Sequence, residues 1–129
     1  QHNPHYEFFK PLVEKIVEAS GFKIAELLRV RAGFLLNTKY SLPSQPYKYN
    51  EPHVDFNIDH YTAVYYVNEA DGDTVIFNQT EKSEKYYPLH KSRPMPGKVV
   101  IFNGRHWHSS TCPKIHTKRI AITVNFTVQ

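Results

Sequence analysis

The stretch GKVVIFNGRHWHSSTCPKIHTKRIAITVNF, residues 97–126, decides the fold. It carries most of the two clearest strand patterns of the chain, 98–103 and 118–128, which are apolar, β-branched runs set off by turn-forming residues. In the second, Ile120, Ile122, Val124 and Phe126 share one face and Arg119, Ala121, Thr123 and Asn125 the other, because strand side chains repeat every second residue. The apolar set requires a core. The polar set then faces either solvent or the inside of a barrel, where Arg119, Thr123 and Asn125 would line a site for a small anion. Between the strands, His106 and His108 share a face, and Trp107 points the other way as a packing residue.

Working outward, residues 26–37 (ELLRVRAGFLLN) alternate with a strand period: Leu28, Val30, Ala32, Phe34 and Leu36 against Arg29, Arg31, Gly33 and Leu35. Residues 61–68 (YTAVYYVN) and 73–78 (DTVIFN) read as strands joined by a turn at 70–72, together a hairpin. A weaker strand spans 85–90 around Pro88, followed by a proline-rich turn at 92–97. Residues 38–52 hold three prolines and no period, which predicts a long loop. At the other end, 11–20 (PLVEKIVEAS) has apolar residues at helical spacing, with Pro11 suited to a first turn and Gly21 to a C-cap. One helix ahead of seven or eight short strands predicts a mainly β (α+β) chain, a double sheet of the jelly-roll kind.

The 129 residues are sized for one domain, 1–129, with the helix at 11–20 and a jelly-roll core at 26–128. A net charge of +4 and pI of about 9.1 come from sixteen scattered basic residues, so no nucleic-acid arm is present and no nucleic-acid partner is expected. A single cysteine, Cys112, excludes an internal disulfide framework and fits a reducing compartment; it is read as a small buried group. Without an apolar run of membrane-spanning length or a signal peptide, a cytoplasmic protein with no membrane partner is expected. The chain begins with Gln1 and not methionine, which predicts a processed or trimmed N-terminus.

The loop at 38–52 leads into PHVDF, residues 52–56. On an extended segment His53 and Asp55 point the same way, and Val54 the other. Two ligands on one face can grip a divalent metal, and His108 or His106 can supply a third from a distant strand. Two histidines and a carboxylate with open positions form the ligand set of non-haem Fe(II) oxygenases. His60, His90 and His116 are read as surface or supporting residues.

The ordered set His53-Val54-Asp55, then His108, then Arg119 eleven residues later resembles the Fe(II)/2-oxoglutarate-dependent dioxygenases, and within them the prolyl hydroxylase branch. AVYYVN (63–68), GDTVIF (72–77), PGKVVIFN (96–103) and RIAITVNF (119–126) carry the same resemblance, although this chain has Gly72-Asp73-Thr74 where the family often has two glycines. The resemblance implies a double-stranded β-helix fold and Fe(II) held by His53, Asp55 and His108. It also implies 2-oxoglutarate bound through Arg119 and Tyr66, with Thr123 lining the pocket and Tyr40 as a further contact ahead of Tyr47 and Tyr49. Fe(II), 2-oxoglutarate and O2 would be the reagents, with ascorbate as a candidate reductant for the iron. The product would be a hydroxylated peptidyl proline, amino acid or other small molecule. Two alternatives are a non-catalytic cupin-like metal-binding jelly roll, which would not need Arg119 inside the barrel, and a basic nucleic-acid-binding β domain, which would show steep salt dependence.

Overall fold

The computed structural model describes residues 5–37 and 49–129. The chain runs through α1 (Tyr6–Ser20), β1 (Ile24–Leu36), β2 (Tyr61–Tyr66), β3 (Thr74–Phe77), β4 (Pro88–Ser92), β5 (Val99–Asn103), β6 (His108–Ser109) and β7 (Lys118–Val128). Two antiparallel sheets result, one in the order β1-β7-β2-β5 and one in the order β4-β3-β6. The chain moves between them after β2, β4, β5 and β6, which is the winding of a jelly roll. No helix among the described residues is long and apolar enough to cross a membrane.

This winding corrects the hairpin expected at 61–78. β2 lies between β7 and β5, whereas β3 lies between β4 and β6 in the other sheet. The turn at 70–72 therefore carries the chain across the barrel. Asp71 fixes it there by accepting the backbone N–H groups of Lys114 and Ile115 (2.8 and 3.0 Å) and of His116 (2.9 Å). Burial would raise the Asp71 carboxyl, but these hydrogen bonds hold it well below the usual carboxylate range. The next carbonyl, Gly72, accepts Arg119 Nε at 2.8 Å. The crossing thus anchors the start of β7.

The alternation read in β7 sorts the two faces. Ile122, Val124 and Phe126 join Ala63 of β2 and Val13 and Ile16 of α1 in one core outside the larger sheet. Val64, Tyr66, Ile76, Phe102 and Ala121 form a second core between the sheets. α1 covers the first core and starts at Tyr6, earlier than predicted, so Pro11 lies inside the helix and not in its first turn. The ring is tolerated at the price of the hydrogen bond to the Glu7 carbonyl. Gly21 closes the helix at φ 72°, with its N–H on Glu18 O at 3.3 Å.

β1 departs from simple alternation. Its register with β7 slips between Ile24 and Glu26 and between Leu27 and Arg29, so Ala25 and Leu28 are extra residues. Leu27 and Val30, not Leu28 and Val30, therefore face the helix. The slip leaves Arg29, Arg31, Gly33 and Leu35 opposite Asn125, Thr123, Ala121 and Arg119 on the inner face. The strand predicted at 85–90 forms at Pro88–Ser92: the proline opens an exposed strand instead of interrupting one.

Gly72 is the position where the crossing depends on the absence of a side chain. Its φ is 104°, and a Cβ there would collide with the Thr111 carbonyl oxygen. Gly72→Ala should lower stability by at least about 2 kcal/mol, from backbone strain and overpacking together. Urea unfolding measures this, and an unchanged midpoint would show that the crossing tolerates a side chain.

Candidate metal centre and anion pocket

His53 and His108 reach one another through the backbone. His53 N donates to His108 O at 3.0 Å and His108 N to His53 O at 2.9 Å. Three residues earlier Asn50 N donates to Ser110 O at 2.9 Å, and Ser109 Oγ donates to Asn50 O. The segment 50–53 thus lies along β6 as a further, irregular edge of the smaller sheet. The predicted extended strand through Asp55 is reduced to a single bridge at His53, after which the chain bends.

One ligand atom from each of His53, Asp55 and His108 lies within 4.8 Å of the others. Asp55 Oδ1 is 3.3 Å from His53 Nε2 and 3.5 Å from His108 Nε2. The Nδ1 atoms of the two rings lie 3.2 Å from the backbone carbonyls of Glu51 and His106 respectively. A proton on each Nδ1 satisfies those carbonyls and leaves both Nε2 lone pairs aimed at a carboxylate oxygen. Three electron-rich atoms gathered in this way need a cation among them, which is the fit expected of a divalent metal. The other oxygen, Asp55 Oδ2, is occupied: Asn125 Nδ2 donates to it at 2.9 Å and Arg29 Nη2 lies 3.6 Å away. Asn125 is fully buried and is held in turn by Thr62 Oγ1 at 3.0 Å.

Electrostatics follow this geometry. Burial alone would raise the Asp55 carboxyl, but hydrogen bonds with His108, His53 and Asn125 hold it well below the usual range. His53 is raised above its ordinary 6.5, chiefly by its hydrogen bond to Asp55. His108 is 6% exposed, whereas the His53 side chain is 51% exposed, so the centre opens to solvent on the His53 side.

From this centre a cavity of about 150 Å3 runs between the sheets to Arg119, past Thr74, Ala121 and Thr123. Arg119 is only 5% exposed. Its Nε donates to Gly72 O and its Nη2 to Thr74 Oγ1 at 2.7 Å; among the described residues it makes no ion pair. Burial pulls its guanidinium below the ordinary value, with Tyr66 opposing. A buried cation without an ion-pair partner is costly, and this one faces a cavity that an anion can enter.

Tyr66, expected to touch the cosubstrate, is fully buried behind this wall. Its hydroxyl donates to Thr74 Oγ1 at 2.7 Å, and its ring lies 5.6 Å from the Arg119 guanidinium. Thr74 is the residue that the sequence reading passed over. Its oxygen accepts from both Tyr66 and Arg119, which fills its two lone pairs and leaves its own proton to donate into the cavity. The signal was the threonine of the GDTVIF run, whose inward face only the crossing to the second sheet establishes. Thr123 also lines the cavity. Tyr40 and Tyr47 lie outside the described residues, and Tyr49 packs on Phe77 with ring centroids 5.1 Å apart.

The remaining histidines separate cleanly. His106 turns its Nδ1 to Phe77 O at 2.8 Å, outside the cluster. His60, read as a surface or supporting residue, is 3% exposed, with Nδ1 on Ile58 O at 2.7 Å. His116 is half-buried against Asp71 and His90 is exposed. Cys112 is half-buried near Asn50 and not a core residue. Trp107 stacks on Tyr86 at 5.4 Å and lines a surface groove of about 670 Å3 together with Tyr49, Glu51, Pro52 and Lys85. Pro52 borders this groove and His53 the cavity, so consecutive residues separate the two.

Comparison with known proteins agrees with this arrangement. A protein of E. coli strain K12, solved as a structural-genomics target, superposes with a TM-score of 0.53 at 16% identity, over 81% of this chain and 83% of that one. That likeness concerns the fold. No curated protein sequence matches the chain. The family model described as the 2OG-Fe(II) oxygenase superfamily matches residues 38–127, which contain the His53, Asp55 and His108 cluster, Thr74 and Arg119. The chain belongs to the 2OG-Fe(II) oxygenase superfamily.

Proposed function

We propose that this chain is an Fe(II)- and 2-oxoglutarate-dependent hydroxylase. In this reading His53, Asp55 and His108 hold the metal, and Arg119 with Thr74 holds the remote carboxylate of 2-oxoglutarate. The observation that carries it is the pairing, in one small cavity, of a metal-type cluster with a buried guanidinium that makes no ion pair among the described residues. A cupin-like binding module has no use for the second feature.

Bound Fe(II), 2-oxoglutarate and dioxygen would supply the oxidising chemistry, with succinate and carbon dioxide released as the substrate is hydroxylated. The protein's share is placement. Asp55 offers Oδ1 to the metal because Asn125 and Arg29 engage Oδ2. The Glu51 and His106 carbonyls fix the orientation of the imidazoles. Arg119 receives a carboxylate in a site too enclosed to solvate it, and Thr74 adds a hydroxyl donor. Tyr66 acts as a positioning residue, locking Thr74 and Arg119 in place. A substrate larger than the cosubstrate has the adjoining groove beside Trp107 to lie in. Peptidyl proline, a free amino acid or another small molecule fits this chemistry. A single oxygenase domain acting in the cytoplasm, with ascorbate keeping the iron ferrous, completes the reading.

Four outcomes test it. Fe(II) affinity, measured anaerobically by calorimetry, should collapse in His108→Ala and persist in His106→Ala; the reverse pattern would assign the third ligand to His106. Metal binding must also displace the proton that Asp55 stabilises on His53. Affinity should therefore fall by about tenfold per pH unit as pH drops below the raised His53 value, and a flat profile from pH 8 to about 5.5 would contradict that linkage.

Arg119→Ala should weaken 2-oxoglutarate binding by about two to four orders of magnitude, corresponding to roughly 3 to 5 kcal/mol for an unpaired buried charge, while metal affinity survives. Tyr66→Phe should lose only about tenfold, as befits a group acting through Thr74. A Tyr66→Phe loss as large as that of Arg119→Ala would make Tyr66 a direct contact.

A further inference from the structure

The charges at the proposed site balance without β1. The metal and Arg119 together offset Asp55 and the two carboxylates of 2-oxoglutarate. Yet Arg29 and Arg31 line the same cavity. They lie directly opposite Asn125 and Thr123 on the inner face of the larger sheet, where paired side chains are near neighbours. β1 is the edge of that sheet, so both arginines stand at the cavity's rim.

Neither arginine is neutralised in full. Arg31 is exposed and makes no ion pair among the described residues. Arg29 approaches Asp55 Oδ2 at 3.6 Å, beyond hydrogen-bonding distance, and its Nε is buried with no hydrogen-bond partner. The Phe56 ring lies 5.2 Å from its guanidinium carbon and holds the side chain in place. Two guanidiniums beside a centre already neutral with its cosubstrate call for a further anion. The cavity itself, at about 150 Å3, leaves little room once a dicarboxylate occupies the Arg119 end, so that anion must enter from the rim.

We propose that Arg29 and Arg31 form a second oxyanion subsite, which receives a carboxylate or phosphate group of the substrate beside the metal. This rests on the hydroxylase reading and narrows it: the substrate carries an anionic group close to the carbon that is hydroxylated. Regular alternation from Arg29 onward sends both arginines inward, and the slip at Leu28 lets Leu27 face outward beside Val30.

The test uses protein loaded with Mn(II), a redox-inert stand-in for Fe(II), and saturated with 2-oxoglutarate. Acetate and inorganic phosphate are titrated separately by calorimetry at ionic strength held constant with chloride, which shows which oxyanion is preferred. At least one should bind to the loaded protein without displacing 2-oxoglutarate. Arg31→Gln, at an exposed position that endangers folding little, should weaken that binding by about tenfold, the worth of one charge-assisted hydrogen bond. Arg29→Lys should keep more of it than Arg29→Gln. In Arg31→Gln, which leaves the ion pair of Arg29 with Asp55 in place, 2-oxoglutarate affinity should change less than about threefold. The proposal is overturned if neither anion binds the loaded parent, if Arg31→Gln binds it as the parent does, or if Arg31→Gln weakens 2-oxoglutarate instead. A parent that binds Mn(II) but no 2-oxoglutarate removes the hydroxylase reading, and this subsite with it.

Discussion

The site depends on two reciprocal backbone hydrogen bonds between His53 and His108, residues 55 positions apart in the chain. A metal cluster assembled from distant segments is only as definite as the backbone that joins them. Side-chain attraction would not do it in the metal-binding form, where both Nε2 atoms are unprotonated and their lone pairs repel the carboxylate. The antiparallel bridge supplies the geometry, and Asn50 with Ser109 and Ser110 extends it. The irregular segment 50–53 is thereby fastened to a sheet whose central strand, β3, is buried along its whole length. Rigidity passes from that strand to β6, and from β6 to the ligands.

A second constraint divides the barrel by polarity. β7 sends one face to the helix-covered core and the other into the cavity, so a single strand carries both stability and chemistry. Arg119 stands at its start and Asn125 six residues on, on the same face, and between them they define the two ends of the site. In the proposed function one end would meet the carboxylate of the cosubstrate, and the other sets which oxygen of Asp55 is free. The crossing at Asp71 and Gly72 ties the Arg119 end to β3, so a disturbance of that turn would reach the pocket through Gly72 O and Thr74 Oγ1.

The sequence carried the polarity of β7, the helix and the ordered residues of the cluster plainly, because each rests on local periodicity or on a motif. It did not carry the partner of β2. An apolar strand followed by a turn and another strand reads as a hairpin, and only the closure of two sheets decides that the second strand belongs elsewhere. Arg29 and Arg31 were legible as sharing a face of β1, but that this face turns inward rests on the pairing with β7, and nothing local marks the extra residues at Ala25 and Leu28 that put Leu27 in place of Leu28 on the core. Thr74 was invisible as a binding group until the crossing turned β3 toward Arg119. Tyr66 was legible through the resemblance as a tyrosine of the right strand, but whether its hydroxyl meets a ligand or another side chain is a matter of tertiary contact.

One cavity thus has a cluster fitted for a metal at one end and a guanidinium at the other. The most direct measurement is a crystal of the protein grown without oxygen in Fe(II) and 2-oxoglutarate, with diffraction recorded on both sides of the iron absorption edge. The account predicts a single anomalous peak bounded by Nε2 of His53, Oδ1 of Asp55 and Nε2 of His108, and cosubstrate density running from it to Arg119 and Thr74. An iron peak elsewhere, or 2-oxoglutarate whose remote carboxylate lies away from Arg119, would contradict it.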